Sequence, residues 1–458
     1  MNYGLAKVTV LDNGVRAITR RVPPLKNYRG CVNIAVRIEA GARDEITGRK
    51  YPAGSMHFLE HLLSYGSKKY PTPTRDLIKS VGGTFNIAAL LSSTVCTVTV
   101  PSEHAVYALE VLGAMFSNPI LDKSHVEAER SVIQIERAGG ELDPKRIEEL
   151  WPLYVGHGKN PRLYPVIGHE RGIDEVSSET MENIYAEHFR GGRIIVAVER
   201  DIDHQEIVDA IDKSFRLAPG VREPTEVPVY TGGDDRHPLA VGATYLVAGF
   251  KAPRPGELDQ QAAFRVTQSL LTARDGEGGP HSFFNALRNN GLAYQVEVVN
   301  RITTDASMLT ISSATLPRRG YSEKVLQTIN AVLARLAECV DPVSFERVMS
   351  NAREENKRAQ KYDLYGPENM ASDYYYNGCV LAPHHCSEQE LKVTQADIRK
   401  VARDLLVNRS TLLATGDLSN VPAPDEVDNI LCGSLSSAIP DEPIFTPIVL
   451  QGGILKAA

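Results

Sequence analysis

The stretch His57-Phe58-Leu59-Glu60-His61 is the part of this 458-residue chain that constrains its fold and chemistry most strongly. If the stretch is helical, its two histidines lie four residues apart on one face, so both imidazoles can reach one metal ion. Glu60 can point to the same side and act on a water molecule. The order H-x-x-E-H is one of the signatures of catalytic zinc. The same side chains could instead decorate an exposed helix, and a catalytic zinc ion needs a third protein ligand.

Two candidates for that third ligand lie in the segment 126–136. The segment contains neither glycine nor proline and is predicted to be helical. Glu129 and Glu136 are two helical turns apart and share a face. One of them could bind the metal while the other orients a ligand or the water. Acidic side chains on a helix are also commonly only solvated, so the segment leaves these alternatives open.

Several separated blocks, in order along the chain, carry a resemblance to a known family. The blocks are residues 40–45, 54–62, 65–71, 82–86 and 129–136. Together they resemble the pitrilysin-type, or inverzincin, metallopeptidases. The resemblance implies that His57, His61 and Glu136 bind Zn²⁺, with Glu136 following His61 by 75 residues. It makes Glu60 the general base and Glu129 a supporting carboxylate.

Three further segments are similar to the mitochondrial branch of that family, namely residues 8–16, 230–233 and 415–422. This similarity implies a processing endopeptidase subunit that cleaves basic targeting peptides on the matrix side of the inner mitochondrial membrane. It also implies a heterodimer with a second two-domain subunit, and a further role as a core subunit of ubiquinol–cytochrome c reductase among the other subunits of that respiratory complex. The alternative is a non-catalytic structural core subunit whose zinc site is a relic. Residues 1–7 show no arginine-rich targeting extension, so a mature start and an internal import signal are both open.

Composition limits the other classes of function. With 42% apolar and 23% charged residues, the chain is an ordinary globular protein that is long enough for two or more domains. It has no run of 18 apolar residues, so we expect no membrane span of its own. A net charge of −7 argues against nucleic acid and favours basic partners. The six cysteines are scattered and form no C-x-x-C pair, which predicts free thiols.

Long-range self-similarity predicts that one structural unit occurs twice. A helix start followed by a strand recurs after 216 residues, at 178–198 and at 394–416. A second similar pair is offset by 219 residues, at 122–127 and at 341–346. We therefore predict an α+β fold of two homologous domains, each a sheet with helices mainly on one face.

The predicted boundaries follow from the repeat and from composition. Residues 1–217 form the domain with the zinc motif, and residues 218–230 form a linker that is rich in proline, glycine and charge. Residues 231–458 form the second domain, which lacks the metal set. His281, near its equivalent of the motif helix, is expected to be a surface or capping residue.

Three segments depart from the family pattern. Residues 87–93 are more apolar than the polar edge-strand segment of relatives, although the backbone could still pair with an extended substrate. The glycine-rich loop of the alpha processing subunit would fall at 273–281, which is shorter and charged. Gly366 and Pro367 interrupt a predicted helix. These departures favour the structural alternative, whereas the complete set of ligands and base favours an enzyme.

Overall fold

The computed structural model describes residues 6–21, 30–46, 50–141, 143–199, 203–224, 226–273, 279–362, 365–382 and 384–432. The glycine-rich loop predicted at 273–281 therefore lies largely outside the described residues. The described chain consists of two β-sheets with associated helices, which confirms the α+β fold.

The first half supplies six strands: β1 (Lys7–Val10), β2 (Arg16–Arg20), β3 (Cys31–Ile38), β4 (Thr84–Ala89), β5 (Thr94–Pro101) and β6 (Ile194–Glu199). The second half supplies five: β7 (Gly233–Pro238), β8 (Thr244–Lys251), β9 (Val296–Ile302), β10 (Ser307–Thr315) and β11 (Thr411–Gly416).

The helices of the first half are α1 (Ser55–Leu63), α2 (Thr74–Ser80), α3 (Ala105–Ser117), α4 (Lys123–Glu141), α5 (Pro144–Leu150), α6 (Pro152–Gly156), α7 (Glu170–Glu175), α8 (Ser178–His188) and α9 (His204–Ser214). Those of the second half are α10 (Leu258–Thr272), α11 (Phe283–Arg288), α12 (Tyr321–Glu338), α13 (Pro342–Tyr362), α14 (Pro367–Asn377), α15 (His385–Glu390), α16 (Gln395–Val407) and α17 (Pro424–Cys432).

The two sheets have corresponding topologies. Their strand orders are β1-β2-β6-β3-β5-β4 and β7-β11-β8-β10-β9. Each sheet contains one parallel pair, β2 with β6 and β7 with β11, and its other pairs are antiparallel. The repeated helix-to-strand connection is α8 to β6 in one half and α16 to β11 in the other. The duplication is thus visible in the fold, while the exact domain limits at 217 and 231 stay a prediction.

Each sheet buries one face against helices of its own half. In the first sheet, β5 alternates inward-facing valines with threonines, as expected for a strand with one core face. The core beneath it contains Phe58, Phe116 and Phe215, which are fully buried. The second half has an equivalent core of its own, built around α10, α12 and α16.

The other face of each sheet is covered by helices from the opposite half. Met370 and Ala371 of α14 pack on Ile195 and Ala197 of β6 in the first sheet. Conversely, α5 and α6 cover the second sheet, where Ile147 packs with Val247 and Leu413, and Leu153 packs with Met308. The prediction of helices mainly on one face therefore describes each half alone and misses this exchange between halves.

Buried arginines form polar contacts between the two halves. Arg37 of β3 donates a hydrogen bond to Ser372 Oγ at 2.8 Å and lies over the ring of Tyr375 at 5.1 Å. Arg43 forms an ion pair with Asp305 in the turn between β9 and β10. The two halves are consequently joined by both apolar and charged contacts.

Two smaller expectations concern single segments. The interruption at Gly366-Pro367 is confirmed, because α13 ends at Tyr362 and Pro367 is the first residue of α14. His281 is buried instead of on the surface, and its Nε2 accepts a hydrogen bond from Asp341 N at the start of α13 at 2.9 Å, so it has a capping role.

Among the described residues, no helix is both long and apolar enough to cross a membrane.

Candidate metal centre

Helix α1 carries the H-x-x-E-H stretch and is held by its apolar face. Phe58, Leu59 and Leu62 are fully buried in the first core. Their spacing of three and four residues is the spacing of one helical face. His57 and His61 lie one turn apart, with ring centroids 4.7 Å from each other.

A buried carboxylate holds the start of α1. Gly54 precedes the helix with φ 97° and has no side chain to cap it. Its backbone N–H donates to Glu45 Oε2 at 3.0 Å, and the N–H of Met56 donates to Glu45 Oε1 at 2.8 Å. Glu45 thus satisfies two donors at the helix start from a position outside the helix. Burial raises the pKa of Glu45 to about 8.

Helix α4 brings a third donor to the two histidines. Glu136 Oε2 lies 3.7 Å from His57 Nε2 and 3.6 Å from His61 Nε2. Three ligands of a tetrahedral zinc ion, each about 2.1 Å from the metal, are about 3.4 Å apart. The donor set therefore fits a zinc ion with a small inward movement.

Glu60 is also close to this set. His57, Glu60 and His61 each offer a possible ligand atom, and these atoms lie within 4.8 Å of one another. However, Glu60 Oε2 is 3.9 Å from His57 Nε2 and accepts a hydrogen bond from Ala89 N, the last residue of β4, at 3.3 Å. Glu60 consequently lies between the histidines and the edge of the first sheet.

Glu129 lies behind His61. Its Oε2 accepts a hydrogen bond from His61 Nδ1 at 2.8 Å. Its Oε1 accepts one from the hydroxyl of Tyr65 at 2.5 Å. This hydrogen bond fixes the orientation of the His61 ring, whose Nε2 faces Glu136.

The two histidines have opposite electrostatic environments. Burial lowers the pKa of His57 to about 4, so this ring is neutral and ready to bind a metal at pH 7. Burial also opposes protonation of His61, but hydrogen bonds to Glu136 and Glu129 raise the pKa of His61 to about 9. The hydrogen bond to His61 lowers the pKa of Glu136. Glu129 and Glu136 thus favour a positive charge at the position between them.

All five residues singled out from the sequence, His57, Glu60, His61, Glu129 and Glu136, come together between α1 and α4. Two contributors were not identified from the sequence, Glu45 and Tyr65. Both lie within blocks that carried the family resemblance, but their partners are backbone and side-chain groups that only the folded chain brings near. Among the described residues, no group of three potential ligands occurs in the second half.

Comparison with known proteins defines the class. Residues 25–150 match the sequence model of Insulinase (Peptidase family M16), and residues 175–352 match the Peptidase M16 inactive domain. Together the two matches span more than half of the chain, which belongs to peptidase family M16. This confirms the pitrilysin-type family.

Bacterial relatives match most of the chain. The chain is 25% identical to an uncharacterised zinc protease of Rickettsia bellii over 419 residues, covering 91% of this chain and 98% of that protein. It is 24% identical to an uncharacterised zinc protease of Bacillus subtilis, covering 90% of this chain and 98% of that protein. Both relatives are described as zinc proteases, which confirms the predicted zinc cofactor.

Solved structures share the fold. A protease from Helicobacter pylori superposes with a TM-score of 0.79 at 18% identity, covering 91% of this chain and 100% of that one. An M16-like peptidase from Alicyclobacillus acidocaldarius gives a TM-score of 0.74 at 16% identity, covering 91% and 99%. These similarities support the two-unit α+β fold.

The mitochondrial localisation inferred from the sequence is wrong. The curated relatives come from Rickettsia, Streptomyces, Bacillus and Mycobacterium. The segments at 8–16, 230–233 and 415–422 therefore do not distinguish the mitochondrial branch from its bacterial relatives. Presequence processing and a role in ubiquinol–cytochrome c reductase, catalytic or structural, are not shown by these relatives.

Proposed function

We propose that this protein is a zinc-dependent endopeptidase of family M16 that hydrolyses peptide bonds in extended polypeptides. The observation that carries the proposal is the convergence of His57 Nε2 and His61 Nε2 on Glu136 Oε2, at 3.7 and 3.6 Å, with the carboxylate of Glu60 3.9 Å from His57 Nε2.

Within this proposal, His57, His61 and Glu136 are the zinc ligands. Glu136 is preferred to Glu60 because one of its oxygens is nearly equidistant from both ring nitrogens. Three protein ligands leave one tetrahedral position open, as catalytic zinc requires. Glu129 fixes the orientation of His61.

A bound zinc ion would supply Lewis acidity, which lowers the pKa of a water molecule and polarises the carbonyl of the substrate. Glu60 would accept the proton of the attacking water and transfer it to the leaving amine. Burial raises the pKa of Glu60, which makes its carboxylate a stronger base than an exposed glutamate.

The substrate chain would pair with β4. This strand is the edge of the first sheet, and Ala89 N points outward to Glu60. Backbone groups two residues apart in a strand point to the same side, so those of Ile87 face outward as well. An extended peptide added to this edge would pass directly in front of Glu60. The apolar side chains at 87–91 would leave these backbone bonds unaffected.

Two further features belong to the proposal. The acidic groups at the centre and the net charge of −7 favour peptides with basic residues near the cleaved bond. A second two-lobed subunit of the same build is the proposed partner, since the outer edge of β4 pairs with no strand among the described residues and is open to another chain. Native mass measurement tests the second point, and a monomeric active particle would contradict it.

The direct test of the function is cleavage of an unstructured peptide library by the purified protein. We expect cleavage that a zinc chelator abolishes and that one equivalent of Zn²⁺ per active site restores. Peptides with arginine near the cleaved bond should be preferred to matched peptides with glutamate. Cleavage that is indifferent to chelation would contradict the proposal.

A further inference from the structure

Tyr65 connects the two helices between which the metal centre lies. It follows the last turn of α1, where its backbone N–H donates to Leu62 O at 3.1 Å. Its hydroxyl donates to Glu129 Oε1 of α4 at 2.5 Å. The other oxygen of the same carboxylate accepts the hydrogen bond from His61 Nδ1 at 2.8 Å. A single carboxylate thus joins the phenol of Tyr65 to a proposed zinc ligand.

The use of both carboxylate oxygens has a geometric consequence. A carboxylate that is held at one oxygen can still rotate about its last side-chain bond, and the imidazole attached to it can follow. When the second oxygen is held by Tyr65, the plane of the carboxylate is fixed. The hydrogen bond to Nδ1 then fixes the ring of His61, whose Nε2 is directed at Glu136.

Tyr65 is itself held by α4. The ring of His125 packs against the ring of Tyr65, with centroids 4.5 Å apart and an angle of 59° between the planes. His125 Nδ1 in turn donates to Asp122 Oδ1 at 2.8 Å. His125 and Glu129 are one turn apart on α4, so the phenol contacts the same helix at two points. Its hydroxyl therefore has a defined position relative to Glu129.

The donor direction at Tyr65 is unambiguous. The hydrogen bond to Glu129 raises the pKa of Tyr65 to about 12, so the phenol keeps its proton at pH 7 and donates it. Glu129 is buried, and Tyr65 and His61 hold its two oxygens. If the phenol hydroxyl is removed, Oε1 loses this donor at a buried position.

We propose that Tyr65 is a positioning residue for the zinc ligand His61 and acts through Glu129. This inference rests on the proposed function, because it assumes that His61 binds zinc. Tyr65 does not contact the substrate or the metal. Its effect is to keep the Nε2 of His61 aimed at the metal position.

The test is the substitution Tyr65→Phe in the full-length protein. The phenylalanine keeps the ring that packs on His125 and removes only the hydroxyl. Because outer partners of metal ligands typically change affinity by about 10–100-fold, we expect zinc binding, measured by chelator competition, to weaken by about tenfold. The visible absorption of the Co²⁺-substituted protein should also change, since it reports on ligand geometry.

Tyr51→Phe is the matched control. Tyr51 donates a similar hydrogen bond to a glutamate of the same half, Glu187 Oε2, at 2.7 Å, but does not contact the proposed ligands. This variant should retain the zinc affinity and the Co²⁺ spectrum of the wild type. A tyrosine hydroxyl that matters only for folding would, when removed, lower the melting temperature. It would change neither the zinc affinity nor the Co²⁺ spectrum.

A double substitution shows whether Tyr65 acts through Glu129. In the Glu129→Gln background, Tyr65→Phe should cause little further loss of zinc affinity, because the route to His61 is already altered. Independent, multiplicative losses would overturn the inference. So would a Tyr65→Phe variant with wild-type affinity and spectrum, while a wild type that binds no zinc would overturn the proposed function and this inference together.

Discussion

Glu136 Oε2 lies 3.6 Å from His61 Nε2, although the two residues are on different helices and 75 positions apart. The same oxygen lies 3.7 Å from His57 Nε2. This triangle of donors requires α1 and α4 to be packed side by side, which the buried faces of both helices provide. This contact is the structural basis for proposing that the protein is a zinc peptidase.

The first prediction concerns the histidines. His57→Ala and His61→Ala should each abolish stoichiometric zinc, because two remaining protein donors rarely retain the ion. Elemental analysis of the purified variants measures this. His169→Ala, which removes an exposed histidine outside the centre, is the control and should keep its zinc. Zinc that survives both substitutions would mean that the ligands lie elsewhere.

The second prediction separates the two carboxylates of α4. Glu136→Gln removes a proposed ligand, whereas Glu129→Gln changes a group that only orients His61. The second change should weaken zinc about 10–100-fold, and the first should weaken it considerably more. Chelator competition on both variants gives the comparison. Equal losses would indicate that the two glutamates share the ligand role.

The third prediction concerns pH and Glu45. Burial raises the pKa of this carboxyl to about 8 from an ordinary 4.5, so the folded state retains a proton that the unfolded state has released. The associated stabilisation is complete below about pH 4.5 and is lost as pH rises toward 8. The free energy of unfolding of the metal-free wild type should therefore fall relative to Glu45→Gln by up to about 1.4 kcal/mol per pH unit.

Denaturant titrations at several pH values between 5 and 8 measure that difference. The substitution keeps the length of the side chain and one acceptor for the start of α1. A difference between wild type and variant that does not change with pH would show that Glu45 is already ionised in the folded protein.

The fourth prediction tests the exchange of helices between the halves. Met370 of α14 is fully buried on the first sheet, so Met370→Ala should reduce the free energy of unfolding by about 2–5 kcal/mol. Val407→Ala is the control, because this side chain is 74% exposed. Thermal unfolding followed by two probes, one in each half, should shift together. A shift confined to the second half would contradict the exchange.

Much of the fold could be predicted because it depends on local patterns. The four-residue spacing of His57 and His61, the uninterrupted helix that carries Glu129 and Glu136, and the repeated helix-to-strand connections are all encoded over short stretches. The structure agrees with these predictions because each pattern matches the period of a helix or a strand.

The parts that were missed depend on contacts between distant segments. The covering of the first sheet by α14 requires Met370 to meet Ile195, and no periodicity in either segment specifies that pairing. The support of α1 by Glu45 and of Glu129 by Tyr65 depends equally on tertiary packing. The predicted mitochondrial localisation was wrong for a different reason. Similarity in a shared fold carries no information about the compartment in which the protein works.

The most direct test of the central claim is peptide cleavage by Glu60→Gln, measured together with its zinc content. The substitution removes the proposed base but leaves the three proposed ligands in place, so the variant should hold one zinc ion with about wild-type affinity. Its cleavage rate should fall by about 10²–10⁴-fold, the typical contribution of a general base. A zinc-loaded Glu60→Gln variant that cleaves peptides at the wild-type rate would contradict the account.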